Sequence, residues 1–265
     1  MSNTKTKLNK LTKEGDQIVC VTCYDSSFSK ILNKVGVDIV LVGDSLGMVI
    51  KGEYNTHSVT MNNILYHASN VVKNKKNFIL MADMPKNSYK DFKTASRNAK
   101  ELLKNKVDIV KIEYRDDHRE TLENLISQKI PICAHIGLLP QYVYAKKDMR
   151  IYGKNSKEFE MVFQQAKTLE KLGVEIILLE CVNSDLAKKI TNSVKIPVIG
   201  IGSGENCNGQ VQVLYDLIGI SNNPPKFAQN FLKKSGSIEK ALKDFYRSEE
   251  RRVGKECRSR WSPYH

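Results

Sequence analysis

The chain has 265 residues, of which 41% are hydrophobic and 27% charged, so it is long enough to bury a substantial core in one or two domains. Its formal net charge is +13, but the lysines are scattered among Asn and Ile, and a genome biased toward A and T explains this composition more simply than nucleic-acid binding. The longest apolar runs are far short of a membrane span and no targeting pattern opens the chain, so we predict a cytoplasmic protein that binds neither nucleic acid nor membrane.

The cysteines and the C-terminal end limit the interpretation further. Most cysteines lie in apolar runs, which favours buried thiols over a disulfide framework. Cys20-Val-Thr-Cys23 has the spacing of a redox or zinc pair, but no second pair accompanies it. Residues 247–265 resemble a translated sequencing adaptor, so we predict a non-native tail, disordered or loosely attached, that includes Trp261. Residues 1–246 are then expected to form a single domain.

Short apolar runs alternate with longer amphipathic segments, which is typical of repeated βα units. The runs that predict strands are 18–22, 39–42, 78–82, 109–112, 131–134, 176–179, 197–201 and, more weakly, 211–214. An apolar period near 3.6 predicts helices at 27–35, 92–105, 158–172 and 184–193, with a last helix near 238–246. Gly36 and Gly173 fall where a helix end needs positive φ. Eight such strands predict a closed (β/α)8 TIM barrel.

The run 107–113 carries two charges where a buried strand should carry none. Side chains alternate across a strand, so Lys111 and Glu113 share a face with Ile109. Buried charges are costly unless they are paired, bound to a metal or used in chemistry. The run is therefore either part of a site or, in the alternative interpretation, a surface strand with an ordinary ion pair. A buried pair between Lys111 and Glu113 is a further possibility.

Polar residues end or follow most of the predicted strands. They are Tyr24 and Asp25 after the first, Asp44 and Ser45 after the second, Asp83 after the third, Lys111 and Glu113 in the fourth, His135 after the fifth and Glu180 after the sixth. The strands of a parallel barrel all point the same way, so these groups meet at one end, where barrel active sites lie. Asp44 or Asp83 alone would more often be a helix N-cap. Three carboxylates and a lysine together favour a catalytic centre.

Asp44, Asp83 and Glu113 supply hard oxygen ligands without clustered Cys or His, which favours Mg²⁺ over zinc. Such an ion can chelate a 2-oxo acid and stabilise the enolate that forms when a neighbouring C–H proton is removed. Lys111 can neutralise the substrate carboxylate. The sequence therefore predicts a magnesium site next to a binding site for an oxo acid.

Glu180 ends an apolar run and is the candidate general base. A carboxylate among apolar neighbours is a stronger base than one in water, which suits removal of a proton from carbon. The alternative is a cap for the helix that starts near Ser184. His135 either bonds the substrate or supports the site from the core.

Six sequence blocks stand in an order and spacing that point to a known family. They are Val42-Gly-Asp-Ser-Leu-Gly-Met48, Ala82-Asp-Met-Pro85, Val110-Lys-Ile-Glu113, His135-Ile-Gly-Leu138 with Pro140-Gln141, Leu179-Glu-Cys-Val182 and Ile196-Pro-Val-Ile-Gly-Ile-Gly202. Together they resemble the 3-methyl-2-oxobutanoate hydroxymethyltransferase (ketopantoate hydroxymethyltransferase) family. The likeness runs from about residue 7 to residue 246.

The resemblance implies a barrel of the phosphoenolpyruvate/pyruvate superfamily, a role in pantothenate synthesis and a homo-oligomer, commonly a decamer. It places Asp44, Asp83 and Glu113 at a magnesium site and makes Glu180 the proton acceptor. It also places Asp44, Ser45, Asp83 and Lys111 in contact with the oxo acid. In the implied reaction, Glu180 removes the C3 proton of 3-methyl-2-oxobutanoate, Mg²⁺ stabilises the enolate, and that carbon attacks the methylene group of 5,10-methylenetetrahydrofolate. Water completes 2-dehydropantoate and tetrahydrofolate is released.

This sequence departs from the family's pattern in three places. Lys86 stands where relatives usually have Phe, and Tyr114-Arg115 and Lys147-Asp148 stand where they have Gly-Gly, although Gly153-Lys154 remains. Two other hypotheses explain less. A C–C lyase of the same superfamily would need a catalytic cysteine on a mobile loop, and a basic binding protein would not explain carboxylates at one end of a barrel.

Overall fold

The computed structural model describes residues 3–13, 17–221 and 224–250, and these residues form eight strands and eleven α-helices. The strands are β1 (Ile18–Thr22), β2 (Ile39–Val42), β3 (Ile79–Asp83), β4 (Ile109–Glu113), β5 (Ile132–Gly137), β6 (Ile176–Glu180), β7 (Val198–Ile201) and β8 (Gly209–Gln212). The helices are α1 (Asn3–Lys13), α2 (Ser26–Val35), α3 (Leu46–Val49), α4 (Met61–Val71), α5 (Phe92–Lys104), α6 (Arg119–Ser127), α7 (Ser156–Leu172), α8 (Ser184–Ser193), α9 (Leu214–Leu217), α10 (Leu232–Ser235) and α11 (Ile238–Glu250).

The strands form a closed parallel barrel in chain order, which confirms the predicted fold. Each strand pairs with the next, and β8 pairs with β1. Glu113 of β4 lies opposite His135 of β5, and Gly137 of β5 lies opposite Glu180 of β6. The described helices include none that is long and apolar enough to span a bilayer.

All eight predicted strands are present, and the last is the one that the sequence located least well. It begins at Gly209 rather than at residue 211. Gln210 and Gln212 are polar, yet both are buried on the same face as Val19 and Val21 of β1. The amide of Gln210 donates to the carbonyl of Gly204 at 2.9 Å. A strand whose outward face is made of glutamines has no apolar run for a sequence pattern to detect.

The barrel separates two apolar cores. The outer core lies between the strands and the helices, and residues such as Val110 and Ile112 of β4 belong to it. The inner core fills the barrel and includes Ile109, together with Leu8 of α1. Because Leu8 is only 2% exposed and packs with the inner core, α1 closes the amino-terminal end of the barrel. The carboxyl ends of the strands lie at the other end of the barrel.

The ends of α2 show why the sequence signals for helix boundaries work. Asp25 accepts a hydrogen bond from the backbone N–H of Phe28 at 2.9 Å and caps the first turn. Gly36 ends the helix with φ of 93°, and Gly173 ends α7 with φ of 97°, as predicted. Asp25, which the sequence placed among the groups at the open end, is thus a helix cap.

Replacing Gly36 by Ala is expected to lower the free energy of unfolding by about 1–2 kcal/mol, because an L residue is strained in the left-handed region. No atom lies within 4 Å of the position that a Cβ would take, so the cost comes from the backbone alone. Urea unfolding of both proteins measures the difference. Gly36→Asn should cost less, since Asn adopts this conformation more readily. Equal midpoints for wild type and the Ala variant would contradict the expectation.

The last helix continues beyond its predicted end at residue 246. Leu242 and Phe245 pack into the outer core, and Glu249, on the same helix face, is also buried. Residues 247–250 of the predicted tail therefore belong to α11. The rest of that prediction, residues 251–265 with Trp261, lies outside the described residues.

Candidate active site

The predicted site residues lie at the carboxyl ends of five neighbouring strands. Asp44 and Ser45 follow β2, Asp83 ends β3, Lys111 and Glu113 lie in β4, His135 lies in β5 and Glu180 ends β6. Because these strands run in the same direction, the side chains share the open end of the barrel, which we call the mouth.

Lys111 and Asp83 form a buried ion pair at the mouth. The distance from Lys111 Nζ to Asp83 Oδ1 is 2.8 Å, and the side chains are 7% and 3% exposed. The other oxygen of Asp83 accepts the backbone N–H of Asp44 at 2.9 Å. The interpretation of run 107–113 as a surface strand is wrong, because both its charges are buried. The ion-pair partner of Lys111 is Asp83 rather than Glu113.

Glu113 is fully buried and keeps one oxygen without a partner. Its Oε2 accepts the backbone N–H of Gln141 at 3.0 Å. Its Oε1 has no hydrogen bond within the described ranges, and His135 Nδ1 is 3.9 Å away. A buried carboxylate oxygen left unpaired is costly, so this atom is available to a ligand.

The charges at the mouth are unbalanced. Burial, reinforced by the nearby Asp83 carboxylate, raises the pKa of Asp44 to about 7. Burial also raises the pKa of Glu113 well above its usual value. Burial by itself would lower the pKa of Lys111, but the carboxylates around it outweigh this effect and raise the pKa. One lysine is therefore too little positive charge to keep all the buried carboxyl groups ionised, and a further cation would favour their ionised form.

Glu180 and His135 lie side by side. His135 Nε2 is 3.3 Å from Glu180 Oε2, and the side chains are 2% and 19% exposed, respectively. Burial lowers the pKa of His135, which favours the neutral imidazole. Neither ring nitrogen has a well-aligned hydrogen bond within the described residues. The position of His135 between Glu113 and Glu180 favours a supporting role over direct contact with substrate.

The caps of the neighbouring helices are other residues. Asn183 Oδ1 accepts the backbone N–H groups of Asp185 and Leu186 and so caps α8, which makes the interpretation of Glu180 as that cap wrong. Asp91 caps α5 in the same way, so Asp83 is not a helix cap. Asp83 and Glu180, at the ends of β3 and β6, therefore do not cap these helices.

Ser45 lies half-buried at the edge of the mouth. Its hydroxyl is 2.8 Å from the hydroxyl of Tyr24, which follows β1 and is buried. Ser45 stands at the N-cap position of α3 but makes no capping bond through its side chain, and Asp44 precedes it. The Ser45 hydroxyl can therefore turn toward a ligand while Tyr24 holds it.

Gln141 is the site residue that the sequence did not single out. Its Nε2 donates to Asp44 Oδ2 at 2.8 Å and to the carbonyl of Met84 at 3.0 Å, and its Oε1 accepts from the hydroxyl of Tyr89 at 2.7 Å. Its backbone N–H is the donor to Glu113. The only sequence signal was its place, after a proline, in one of the family blocks.

Residues 138–155, called the mouth loop, follow β5 and contact the site through Gln141. Lys86 Nζ donates to the hydroxyl of Tyr144 at 2.7 Å, and the rings of His57 and Tyr144 lie 5.1 Å apart. The end of the loop is fixed by a parallel bridge from Tyr152 to the segment after β6. The loop thus contacts segments that follow β2, β3 and β6.

A cavity of about 600 Å³ lies beside the mouth, between the segment after β4, the mouth loop and α7. Tyr114 and Arg115, which replace the family's Gly-Gly, are in its wall with Tyr142 and Tyr152. The guanidinium carbon of Arg115 lies 4.7 Å from the centre of the Tyr142 ring. These departures from the family pattern therefore shape space next to the site rather than the carboxylates themselves.

In the described part of the chain, no three Cys, His, Asp or Glu side chains surround one point closely enough to hold a metal by themselves. Asp44, Asp83 and Glu113 share the mouth, but Gln141 lies between Asp44 and Glu113. Mg²⁺ usually keeps several waters and needs only one or two carboxylates in direct contact. The donors are thus of the right kind, with room in the coordination shell for water or substrate.

The cysteines near the site are poor nucleophiles. Burial raises the pKa of Cys133, of Cys181 and of Cys207 to about 12, so their thiols stay protonated near neutral pH. Cys20 and Cys23 belong to the inner and the outer core, respectively, and therefore face opposite sides of the barrel wall. The protonated thiols do not favour a lyase with a catalytic cysteine. The separation of Cys20 from Cys23 does not favour a redox or metal-binding pair.

The sequence of this chain is similar to a known protein family. The family model described as ketopantoate hydroxymethyltransferase matches residues 2–253. The 3-methyl-2-oxobutanoate hydroxymethyltransferase of Marinobacter nauticus is 40% identical over 243 residues, 91% of this chain and 92% of that protein. The enzyme of the same name from Nitrosospira multiformis is 42% identical over 250 residues, 94% and 95% of the two chains.

Solved structures with low sequence identity share the fold. Phosphoenolpyruvate phosphomutase from Streptomyces platensis subsp. rosaceus superposes with a TM-score of 0.64 at 12% identity, over 94% of this chain and 99% of that chain. 2,3-Dimethylmalate lyase, a member of the PEP mutase/isocitrate lyase superfamily, superposes with a TM-score of 0.63 at 15% identity, over 88% and 89%. This chain therefore shares the barrel fold of these proteins. The chain belongs to the ketopantoate hydroxymethyltransferase family and is a transferase enzyme.

Proposed function

We propose that this chain transfers a hydroxymethyl group from 5,10-methylenetetrahydrofolate to 3-methyl-2-oxobutanoate, giving 2-dehydropantoate and tetrahydrofolate in pantothenate synthesis. The observation that carries the proposal is the meeting of buried carboxylates, one lysine and Glu180 at the mouth of the barrel, in a chain of this family. The homo-oligomer, the decamer and the cytoplasmic location stay predictions.

The oxo acid binds through its charge. Lys111 is buried, positively charged and fixed by Asp83, so its ammonium can attract the substrate carboxylate without reorganising. The Ser45 hydroxyl, held by Tyr24, can donate a hydrogen bond to a substrate oxygen. These contacts would orient the substrate with its C3 toward the carboxyl ends of β5 and β6, where Glu180 lies.

Glu180 is the proposed base. Its carboxylate is partly exposed at the mouth and can reach a substrate there, while His135 supports it from the buried side. Glu180 takes the proton from C3, and the electron pair left on that carbon forms a bond to the methylene carbon of the folate donor. One bond from the methylene carbon to a folate nitrogen breaks as the C–C bond forms, and the second breaks as one molecule of water adds its oxygen to that carbon. The proton from C3 and one proton of the water end on the two folate nitrogens, so that atoms and charge balance.

Asp44, Asp83 and Glu113 would hold a magnesium ion, directly or through water. The fit is chemical: all three supply hard oxygen, the buried carboxylates outnumber the lysine, and one oxygen of Glu113 has no partner among the described residues. When bound, the ion polarises the keto oxygen of the substrate and offsets the negative charge that develops as the proton leaves.

Product formation is expected to require the folate donor and to fall about 1000-fold in excess EDTA, because a metal supplies several kcal/mol of stabilisation in such reactions. Added Mg²⁺ should restore the rate. Equal rates with and without chelator would remove the metal from the proposal. Cleavage of an oxo acid without folate would support the lyase alternative and contradict hydroxymethyl transfer.

A further inference from the structure

We propose that Gln141 is a positioning residue that couples the candidate cation site to the mouth loop. The inference rests on the proposed function in one respect, since it takes Asp44 and Glu113 as holders of a divalent cation. It assigns a role to a residue that contacts neither substrate nor a reacting atom.

The amide nitrogen, the amide oxygen and the backbone N–H of Gln141 all make hydrogen bonds. Its amide nitrogen donates to Asp44 and to the carbonyl of Met84, its amide oxygen accepts from Tyr89, and its backbone N–H donates to Glu113. The residue is 1% exposed. The side chain of Gln141 therefore holds together the segments that follow β2 and β3, and its backbone N–H adds the end of β4.

These contacts fix the direction in which the two carboxylates point. Each of Asp44 and Glu113 has one oxygen tied to Gln141, and the second oxygen of Glu113 is left without a partner within the described residues. Residues that orient ligand side chains typically contribute a factor of about 10 to 100 to metal affinity. Gln141 is placed to make such a contribution.

Gln141 also belongs to the mouth loop. It lies in a short 3-10 turn, Pro140–Tyr142, at the beginning of the loop, three residues before Tyr144, which contacts Lys86 and His57. An ion that fixes Asp44 and Glu113 also fixes Gln141, and with it the start of the loop. Such coupling is reciprocal, so a well-ordered loop must in turn raise the affinity for the cation.

The test compares wild type with Gln141→Met, which keeps the length of the side chain and removes its hydrogen bonds. Gln164→Met is the matched control, because Gln164 is exposed on α7 and, among the described residues, its side chain bonds to Glu160 alone. Titration calorimetry measures Mg²⁺ affinity without any substrate. Limited trypsin digestion, followed by mass spectrometry, measures cleavage at Lys147, which is exposed in the mouth loop.

For wild type and Gln164→Met, saturating Mg²⁺ is expected to slow cleavage at Lys147 about fivefold or more, in the usual range of coupling between sites. For Gln141→Met, Mg²⁺ affinity should fall about 10- to 100-fold. Saturating Mg²⁺ should then change cleavage less than about twofold, since the side-chain link from Asp44 to the loop is gone and only the backbone bond to Glu113 remains. If the Met variant does not fold, Gln141→Asn, which keeps the amide but is too short to reach Asp44 and Tyr89 together, should show the same two losses.

Three results would overturn the inference. Unchanged Mg²⁺ affinity in the Gln141 variants would remove the positioning role and leave the proposed function untouched. Reduced affinity with full protection of Lys147 at saturation would show that the loop responds by another route. Wild type that binds no Mg²⁺ would remove both this inference and the metal of the proposed function, so the two failures are distinguishable.

Discussion

Glu180→Gln is expected to abolish exchange of the C3 hydrogen of 3-methyl-2-oxobutanoate with solvent deuterium and to lower kcat about 10²- to 10⁴-fold, the usual contribution of a positioned base. Gln has nearly the shape of Glu but cannot accept a proton near neutral pH. Exchange followed by proton NMR in D₂O needs no folate donor. It therefore isolates proton removal from the transfer step.

The control for this variant is a glutamate just before the same strand. Glu175 immediately precedes β6, at the closed end of the barrel, so Glu175→Gln makes the same chemical change away from the mouth. It should exchange the C3 hydrogen at the wild-type rate. Mg²⁺ affinity measured by calorimetry should be nearly the same in Glu180→Gln and in wild type. Exchange that survives in Glu180→Gln would remove this residue as the base and point to another group at the mouth.

Lys111→Met should be the most destabilising of the substitutions considered, lowering the free energy of unfolding by about 3–5 kcal/mol when the cation is removed by EDTA. The reason is that Asp83, 3% exposed, loses its ion-pair partner, and an unpaired carboxyl group buried beside Asp44 is costly. Denaturant unfolding in EDTA measures the loss. Added Mg²⁺ should recover part of it, since a cation at the carboxylates replaces some of the missing positive charge.

Lys104→Met provides the comparison for an ion pair on the surface. Lys104 pairs with Glu101 at 2.7 Å, but the two side chains are 72% and 43% exposed. Surface pairs contribute about 0–1 kcal/mol, so this variant should unfold almost as wild type does. Similar losses in Lys111→Met and Lys104→Met would contradict the buried ion pair. Substrate binding should be weakened in the Lys111 variant alone.

The sequence predicted the barrel because local patterns determine most of it. Short apolar runs between amphipathic helices, and glycines such as Gly36 at helix ends, carry their information within a few residues. The charges of Lys111 and Glu113 inside an apolar strand signalled a site because a core does not tolerate them without a reason. The parallel arrangement then gathered residues that are far apart in the sequence.

The features of the site that the sequence did not predict depend on contacts between distant segments. The sequence left Lys111 with Glu113 as a possible partner, whereas the structure pairs it with Asp83 on the neighbouring strand. Gln141 looked like an ordinary loop residue because its partners lie on three other segments. The end of α11 was missed because residues 247–265 resemble an adaptor and were left out of the predicted domain, whereas Glu249 is buried on the helix. Spacing within one segment contains no information about these contacts.

The packing of Leu8 against the inner core has a kinetic consequence. Because α1 covers the amino-terminal end of the barrel, ligands enter from the carboxyl ends of the strands. The ligand that binds deepest must then bind first and dissociate last. In the proposed reaction, the small oxo acid near Lys111 would lie beneath the bulkier folate donor and could not leave before it. We therefore expect a compulsory order of addition, which double-reciprocal plots with a dead-end folate analogue would reveal as uncompetitive inhibition against the oxo acid.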